Sequence, residues 1–324
     1  MPHPRLSIAM TTYNGARYLQ AQLDSFAAQS RRPDELVICD DRSTDDTPAI
    51  IRRFAASAPF FTRFIINDEN LGIRRNFEKA ITLATGNILF LSDQDDVWHP
   101  DKLARFEETF AQDPQIGLVF ADAHVVDEQL HRLGYTFWQR LEFTPRQQAQ
   151  FAQDRGFDIL LKHCFVAGAT LAFRASFKPL ILPLPDTWMY DAWIAIAISA
   201  IAKSRIIPEP LNEYRQHQRQ AIGGVRKSVW RRYIEAKRAV DADFFLARAA
   251  EYTTLRDRLL RSPTYPIDRR ILAKIDSKLS LCQTRSRMRS HPLLRLPLLL
   301  RELLTGRYHH YAHGWKTALL DLFV

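Results

Sequence analysis

Short apolar runs recur along the first hundred residues, and each breaks off into polar side chains. The runs are Leu6 to Met10, Leu36 to Cys39, Phe64 to Ile66 and Ile88 to Leu91. A brief continuous apolar run bounded by turn-forming residues reads as a strand buried on both faces. The polar ends are Thr11-Thr12-Tyr13-Asn14, Asp40-Asp41-Arg42-Ser43, Asn67-Asp68-Glu69-Asn70 and, past Leu91, the carboxylates Asp93, Asp95 and Asp96. Between the runs the apolar period lengthens to that of a helix. Tyr18, Leu19, Leu23 and Phe26 share one face; Ile50, Ile51 and Phe54 follow a cap at Asp45-Asp46-Thr47-Pro48; Phe77, Ala80, Ile81 and Ala84 form a third, stopped by Gly86. Strand and helix alternating at this spacing predict an α/β fold with a Rossmann-like, mostly parallel sheet flanked by helices. Ligands of such sheets bind beyond the carboxyl ends of the strands, so the four polar clusters are expected to meet at one crevice.

Farther on, Gly117 to Ala121 reads as a strand, with Asp122-Ala123-His124 after it. The polar, Gln-rich stretch from Glu142 to Asp154 suits a mobile loop or short helix over the cleft. Phe165 to Phe173 reads as a strand in which Gly168 permits close backbone approach. A turn at Pro183 to Pro185 precedes a strongly apolar helix from Ala192 to Ala202, with Asp191 in its first turn. Ile206 to Pro210 suits a short strand, followed by Tyr214-Arg215-Gln216-His217. From Val225 the pattern is helical throughout, and a boundary near Gly223-Gly224 divides the chain into 1–224 and 225–324.

Charge sharpens that division. From Val225 to Val324, 21 Lys and Arg stand against 9 Asp and Glu, a net +12; the other residues hold 24 against 27, a net −3. A basic amphipathic stretch starts at Trp230, Tyr233, Ile234 and Lys237. Leu293 to Leu304 is apolar with arginines and interrupted by Pro297, and Trp315, Leu319, Leu320 and Phe323 close the chain. Such a region suits a helical extension lying on a membrane surface, or helices packed on the first domain or a second subunit. Its charge would also suit nucleic acid, but the acidic cluster of the first domain argues for an enzyme without a nucleic-acid partner. Three cysteines far apart, Cys39, Cys164 and Cys282, suit reduced thiols and a cytoplasmic protein, peripheral on the inner membrane face. MPHPRLSIAM lacks a signal-peptide apolar region, and no apolar run has the roughly 18–20 residues of a spanning helix.

The chemistry centres on Ile88 to Lys102, ILFLSDQDDVWHPDK. Three carboxylates where a buried strand surfaces repel one another unless a cation or strong donors share the site. Asp93 and Asp95, two apart, point to one side of an extended segment and together can grip a divalent ion, Mg2+ or Mn2+, whose shell nucleotide phosphates complete. No GxGxxG follows the first strand and no GxxxxGK[ST] occurs, so a bound diphosphate would rely on the metal and on basic side chains such as Arg74 and Arg75 beside Gly72. Read alone, Asp191 suits either helix-dipole complementarity or a base that takes a hydroxyl proton. His217 suits a neutral metal ligand as well as an ordinary surface or core histidine. His309, His310 and His313 have no second set of ligands.

Four of these stretches, in order, resemble the inverting family 2 glycosyltransferases of GT-A fold. They are Ser7 to Asn14, Val37 to Thr47, Asn70-Leu71-Gly72 with Asn76-Phe77, and Phe90 to Trp98, within a similarity covering roughly the first 220 residues. Ser92-Asp93-Gln94-Asp95-Asp96-Val97-Trp98 and Arg215-Gln216-His217 look like the bacterial rhamnosyltransferase branch. The resemblance implies that Thr11, Tyr13, Asp40 and Asp41 line the base and ribose of the nucleotide-sugar, with Asn14, Arg74, Arg75 and Gln94 also contacting the donor. Asp93 would contact the donor and pair with Asp95 at the metal, Asp95 nearest it, with His217 a further metal or diphosphate contact. Asp191 stands where the family has its catalytic base, although Tyr190 precedes it where a Glu is common. The implied donor is dTDP-rhamnose or a UDP-sugar, and the implied acceptor a growing surface polysaccharide or lipid-linked glycan. Two rival readings are a sugar nucleotidyltransferase, which Thr11-Thr12-Tyr13-Asn14-Gly15-Ala16-Arg17-Tyr18 fits poorly, and a non-catalytic membrane-surface protein.

Overall fold

The computed structural model describes residues 3–217 and 241–323, which form two compact units. The first holds residues up to 156, 165–184 and 189–217, and the second residues 157–164, 185–188 and 241–323. The expected boundary at Gly223-Gly224 and the stretch from Trp230 to Lys237 lie outside the described residues.

The first unit is built on a nine-stranded mixed sheet. Its strands are β1 (Leu6–Thr12), β2 (Glu35–Asp40), β3 (Phe61–Ile66), β4 (Ile88–Ser92), β5 (Val97–Trp98), β6 (Ile116–Val126), β7 (Arg132–Thr136), β8 (Leu171–Arg174) and β9 (Lys203–Arg215). They lie in the order β3-β2-β1-β4-β8-β6-β9-β5, with β7 paired to β6. β1, β2, β3 and β4 run parallel; β8 is antiparallel to both β4 and β6; β9 is parallel to β6. It follows that β1, β2, β3, β4, β6 and β9 all end at one edge of the sheet, the edge at which β8 begins.

Helices α1 (Ala16–Ala27), α2 (Thr47–Ser57), α3 (Ile73–Leu83) and α4 (Lys102–Ala111) occupy the connections the periodicity predicts. Leu19, Leu23 and Phe26 of α1 and Phe106 and Phe110 of α4 join Ile8, Ile38 and Phe90 of the sheet in one buried cluster. The Asp45 carboxylate accepts from Thr47 N (3.0 Å) and Ala16 N (3.1 Å), so one side chain serves the first turns of both α2 and α1. The polar stretch from Glu142 to Asp154 holds α6 (Pro145–Ala152), between α5 (Phe137–Arg140) and α7 (Gly156–Lys162), and α8 (Lys178–Ile181) and α9 (Tyr190–Ser199) follow β8. Thr136 and Thr144 each close a reciprocal capping box, and the one at Thr144 fixes α6 as a helix where a mobile loop was the alternative.

Three expectations shift. The strand at Phe165–Phe173 is confined to Leu171–Arg174, because Gly168–Thr170 makes a 3-10 turn first. The strand at Ile206–Pro210 extends over thirteen residues, Lys203–Arg215. Its two prolines fall where the pairing with β6 slips, Ile207 facing Ala121 and Pro210 facing Asp122, so neither costs a regular ladder bond. The apolar helix runs from Tyr190 to Ser199, two residues earlier at its start than expected, with Asp191 in its first turn as expected.

The second unit is helical: α10 (Ala242–Leu260), α11 (Arg269–Ser290), α12 (Arg295–Leu304), α13 (Arg307–Tyr311) and α14 (Trp315–Phe323). Leu281, Met288, Leu299, Tyr308 and Ala318 form its core. Residues 157–164 and 185–188 pack within it: the Trp188 ring meets that of Tyr252 edge-on at 5.6 Å, and the Tyr252 hydroxyl donates to Leu161 O at 3.4 Å. No helix among the described residues is long and apolar enough to cross a membrane.

Candidate active site

The loop after β4 carries Asp93, Asp95 and Asp96, at the edge where six strands end. It is held from three sides. Arg215, at the end of β9, donates its backbone N–H to Asp96 Oδ1 (3.1 Å) and its Nε to Asp95 O (2.7 Å), and its guanidinium lies 4.6 Å from the centre of the Tyr18 ring. His217 Nε2 lies 2.7 Å from Asp95 Oδ2, with its ring 4.8 Å from that of Tyr18. Gln94 Oε1 accepts from Tyr13 N (2.8 Å) while its Nε2 donates to Tyr13 O (3.0 Å), a two-way clamp between this loop and the one after β1. A Cβ at residue 15 would sit 2.1 Å from Gln94 Oε1, which is why glycine stands there.

Asp191 reaches the same site from another element. Its Oδ1 accepts from Ala192 N (2.7 Å), and its Oδ2 accepts from Gly168 N (3.2 Å) in the turn that opens β8. Tyr190 stacks on Phe77 at 4.1 Å, and its hydroxyl would lie 2.2 Å from any Cβ at residue 168. Burial drives the electrostatics. It holds the Asp93 carboxyl well above the ordinary carboxylate range, and the neighbouring charges of Asp95, Asp96 and Asp191 push it further. Burial and then Asp95 lift Asp96 to about 7, and burial lifts Asp191 to about 6. Four carboxylates from two separate parts of the chain therefore feel one another.

Lys102, which no sequence motif singles out, places its amine inside this group. It is fully buried, its Nζ donates to Ala169 O (2.6 Å) and Asn212 Oδ1 (2.7 Å), and it sits 3.6 Å from the centre of the Trp98 ring. Burial pulls its pKa well down, while the charges of Asp96 and Asp93 oppose that fall. Its one sequence signal is its place in the first turn of a helix following an acidic cluster.

The residues expected to meet a nucleotide fall into two groups. Asp40 is fully buried; its oxygens accept from Thr12 Oγ1 (2.7 Å), Ser43 Oγ (2.6 Å) and Ser43 N (2.8 Å). Asp41 accepts from Asn67 Nδ2 (2.9 Å), Leu71 N (2.7 Å) and Gly72 N (2.8 Å). Asn14 Oδ1 accepts from Thr44 N at 2.8 Å. These three, like Gln94, have side-chain oxygens taken up in tying loops together, and their geometry supports shaping the crevice. Thr11 is buried at the end of β1. Tyr13 and Arg75 are exposed and Arg74 is half-buried, at the starts of α1 and α3.

The donor set fits a hard divalent cation. Asp96 Oδ2 has no hydrogen-bond partner among the described residues, and the half-buried Asp93 and Asp95 add carboxylate oxygens in the same loop. Among the described residues no group of three or more His, Cys, Asp or Glu side chains is placed to hold a metal ion by itself.

Comparison with known proteins places this geometry. The family described as Glycosyl transferase family 2 matches residues 7–176. An uncharacterized protein of Mycobacterium tuberculosis is 30% identical over 215 residues, spanning 65% of this chain and 59% of that protein. The match thus covers less than two thirds of that relative's length. In fold, the chain is similar to S. aureus TarS 1-349 in complex with UDP-GlcNAc (TM-score 0.58, 14% identity, 98% of this chain and 81% of that one). It is likewise similar to the mannosyltransferase PcManGT from Pyrobaculum calidifontis in complex with GDP-Man and Mn2+ (TM-score 0.55, 20% identity, 99% of this chain and 86% of that one).

Proposed function

The chain belongs to glycosyl transferase family 2, and we propose that it moves a sugar from a nucleoside-diphosphate donor to an acceptor hydroxyl with inversion at the anomeric carbon. The observation that carries this reading is the pairing of two kinds of carboxylate at one sheet edge. Asp93, Asp95 and Asp96 form one loop, and Asp191 stands apart on α9, close enough to raise the Asp93 pKa. An inverting transfer needs that division: one group to hold the leaving diphosphate and one to act as base.

Asp93 and Asp95 would hold Mg2+ or Mn2+, with His217 orienting Asp95, and the ion would neutralise charge developing on the diphosphate. Asp191 accepts the proton of the acceptor hydroxyl as its oxygen bonds to the anomeric carbon and the bond to the diphosphate breaks. Gly168 N–H fixes the carboxylate, and burial lifts its pKa to about 6, which makes it a stronger base than an exposed aspartate while leaving it ionised at neutral pH. Tyr13, Thr11, Arg74 and Arg75 would face the donor, and Asp40, Asp41, Asn14 and Gln94 would hold the loops around it.

The favoured donor is dTDP-rhamnose, from the resemblance of Ser92 to Trp98 to the rhamnosyltransferase branch, with a UDP-sugar second. The acceptor we favour is a growing surface polysaccharide or lipid-linked glycan on the inner face of the cytoplasmic membrane. A turnover screen of dTDP-, UDP- and GDP-sugars with Mn2+, with the product's anomeric configuration read by NMR, tests the reaction. Transfer with inversion supports it; nucleotide incorporation from a triphosphate with release of pyrophosphate would replace it with the nucleotidyltransferase reading.

A further inference from the structure

Helices α12 and α14 are built inside out. An amphipathic helix on a water-soluble unit points its leucines inward and its charges outward. Here Leu293 and Leu294, just ahead of α12, and Leu296, Leu300 and Leu304 within it are all exposed, Leu293 at 95% and Leu304 at 89%. Leu296, Leu300 and Leu304 recur at helical spacing on one stripe. The single acid of α12, Glu302, is fully buried, accepting from Arg301 (2.8 Å), Arg307 (3.2 Å) and Thr284 (3.3 Å). α14 repeats the pattern. Trp315, Leu319 and Phe323 are exposed four residues apart, while buried Asp321 accepts from Arg285 Nε (2.6 Å), Arg289 (3.1 Å) and the Tyr308 hydroxyl (2.8 Å). The two helices pack on each other through Leu299, Leu303, Ala318 and Leu322.

The charge distribution completes the picture. From Lys278 to Phe323 the chain holds eight Lys and Arg but only two acids, Glu302 and Asp321, and both are buried and neutralised. Every ionised group this stretch shows to solvent is therefore cationic, with Arg287, Arg301 and Lys316 exposed. Pro297 falls in the first turn of α12, where it costs no helical hydrogen bond.

We propose that α12 and α14 form a lipid-binding surface that lies in the headgroup region of an anionic bilayer, leucines and Trp315 inserted among acyl chains and arginines at the phosphates. An apolar stripe of this size alone suits any hydrophobic partner. The cationic side chains of this stretch, with its two carboxylates drawn inside, select an anionic one, and the combination of shallow apolar insertion with Lys and Arg is that of an interfacial helix. The binding does not depend on the transfer reaction, so the two proposals fail separately.

Flotation of the full chain with phosphatidylcholine vesicles, with and without phosphatidylglycerol, tests it. The chain should float with the phosphatidylglycerol vesicles, less so as salt rises. Leu296→Ser, Leu300→Ser and Leu304→Ser should each lower partitioning roughly tenfold while leaving thermal stability and turnover of a soluble donor unchanged. Equal flotation of the triple variant, or no flotation of the wild-type chain, would overturn the proposal. So would a concentration-dependent dimer that the same substitutions dissociate, since a second copy would then cover the leucines.

Discussion

His217 Nε2 lies 2.7 Å from Asp95 Oδ2 across 122 residues of chain, and the contact joins the end of β9 to the acidic loop after β4. Together with Arg215, which grips Asp95 and Asp96 by their backbone and side chain, it makes the acidic loop depend on a strand laid down a hundred residues later. In the proposed enzyme His217 positions the Asp95 carboxylate, and its removal should weaken metal binding more than it weakens the fold. We predict that His217→Ala raises the Mn2+ concentration needed for half-maximal transfer by about 10–100-fold. Activity titrated with Mn2+ checks this; an unchanged metal requirement would reduce the contact to packing.

Asp191 gives a prediction with a definite sign. As a base it must be ionised, so transfer should rise as pH increases through about 6 and level off above. Stability should move the opposite way. The folded-state pKa lies above the ordinary value near 3.8, so the folded chain binds this proton more tightly than the unfolded chain. The contribution of Asp191 to stability is thus greatest below the ordinary value and is lost as pH rises toward 6. Asp191→Asn should abolish transfer, retain donor binding and leave thermal stability at pH 7 equal or higher. Calorimetry and a melting curve on one sample decide it: lost donor binding with lost stability would mark Asp191 as structural.

Lys102 should matter for a different reason. Replacing it with methionine leaves Ala169 O and Asn212 Oδ1 without this donor and removes a buried cation beside Asp93 and Asp96. Breaking such a buried arrangement costs about 3–5 kcal/mol. Urea unfolding of Lys102→Met should show a loss of that order, and a loss under ~1 kcal/mol would show that the cluster does not need the cation.

Much of the fold and part of the site are legible in the amino-acid sequence. β1, β2 and β4 are buried on both faces, so their sequences are unbroken apolar runs that periodicity reads directly. β3, at the edge of the sheet, is half-exposed from Phe61 to Ile66, and only its last three residues make an apolar run. β9 reads as shorter than it is because Pro208 and Pro210 argue against a strand unless the pairing slips at that point, which local sequence does not reveal. The acidic loop is readable because three carboxylates after a buried strand demand an explanation. Lys102 is not: a lysine on a helix is ordinarily solvated, and its burial depends on Ala169 and Asn212, 67 and 110 residues away. Asp40 and Asp41 stand out in the sequence as the polar end of a buried strand, but that the protein's own Thr12, Ser43 and Asn67 take up their oxygens does not.

In the proposed enzyme Asp93 and Asp95 hold a cation against a donor's diphosphate. Isothermal titration of dTDP, UDP and GDP into wild-type chain and Asp95→Ala, each with Mn2+ and with EDTA, tests it most directly. At least one nucleotide should bind the wild-type chain only with Mn2+, and Asp95→Ala should lose this binding while keeping its melting temperature. Nucleotide binding that is equally tight in EDTA, or in Asp95→Ala, would contradict it.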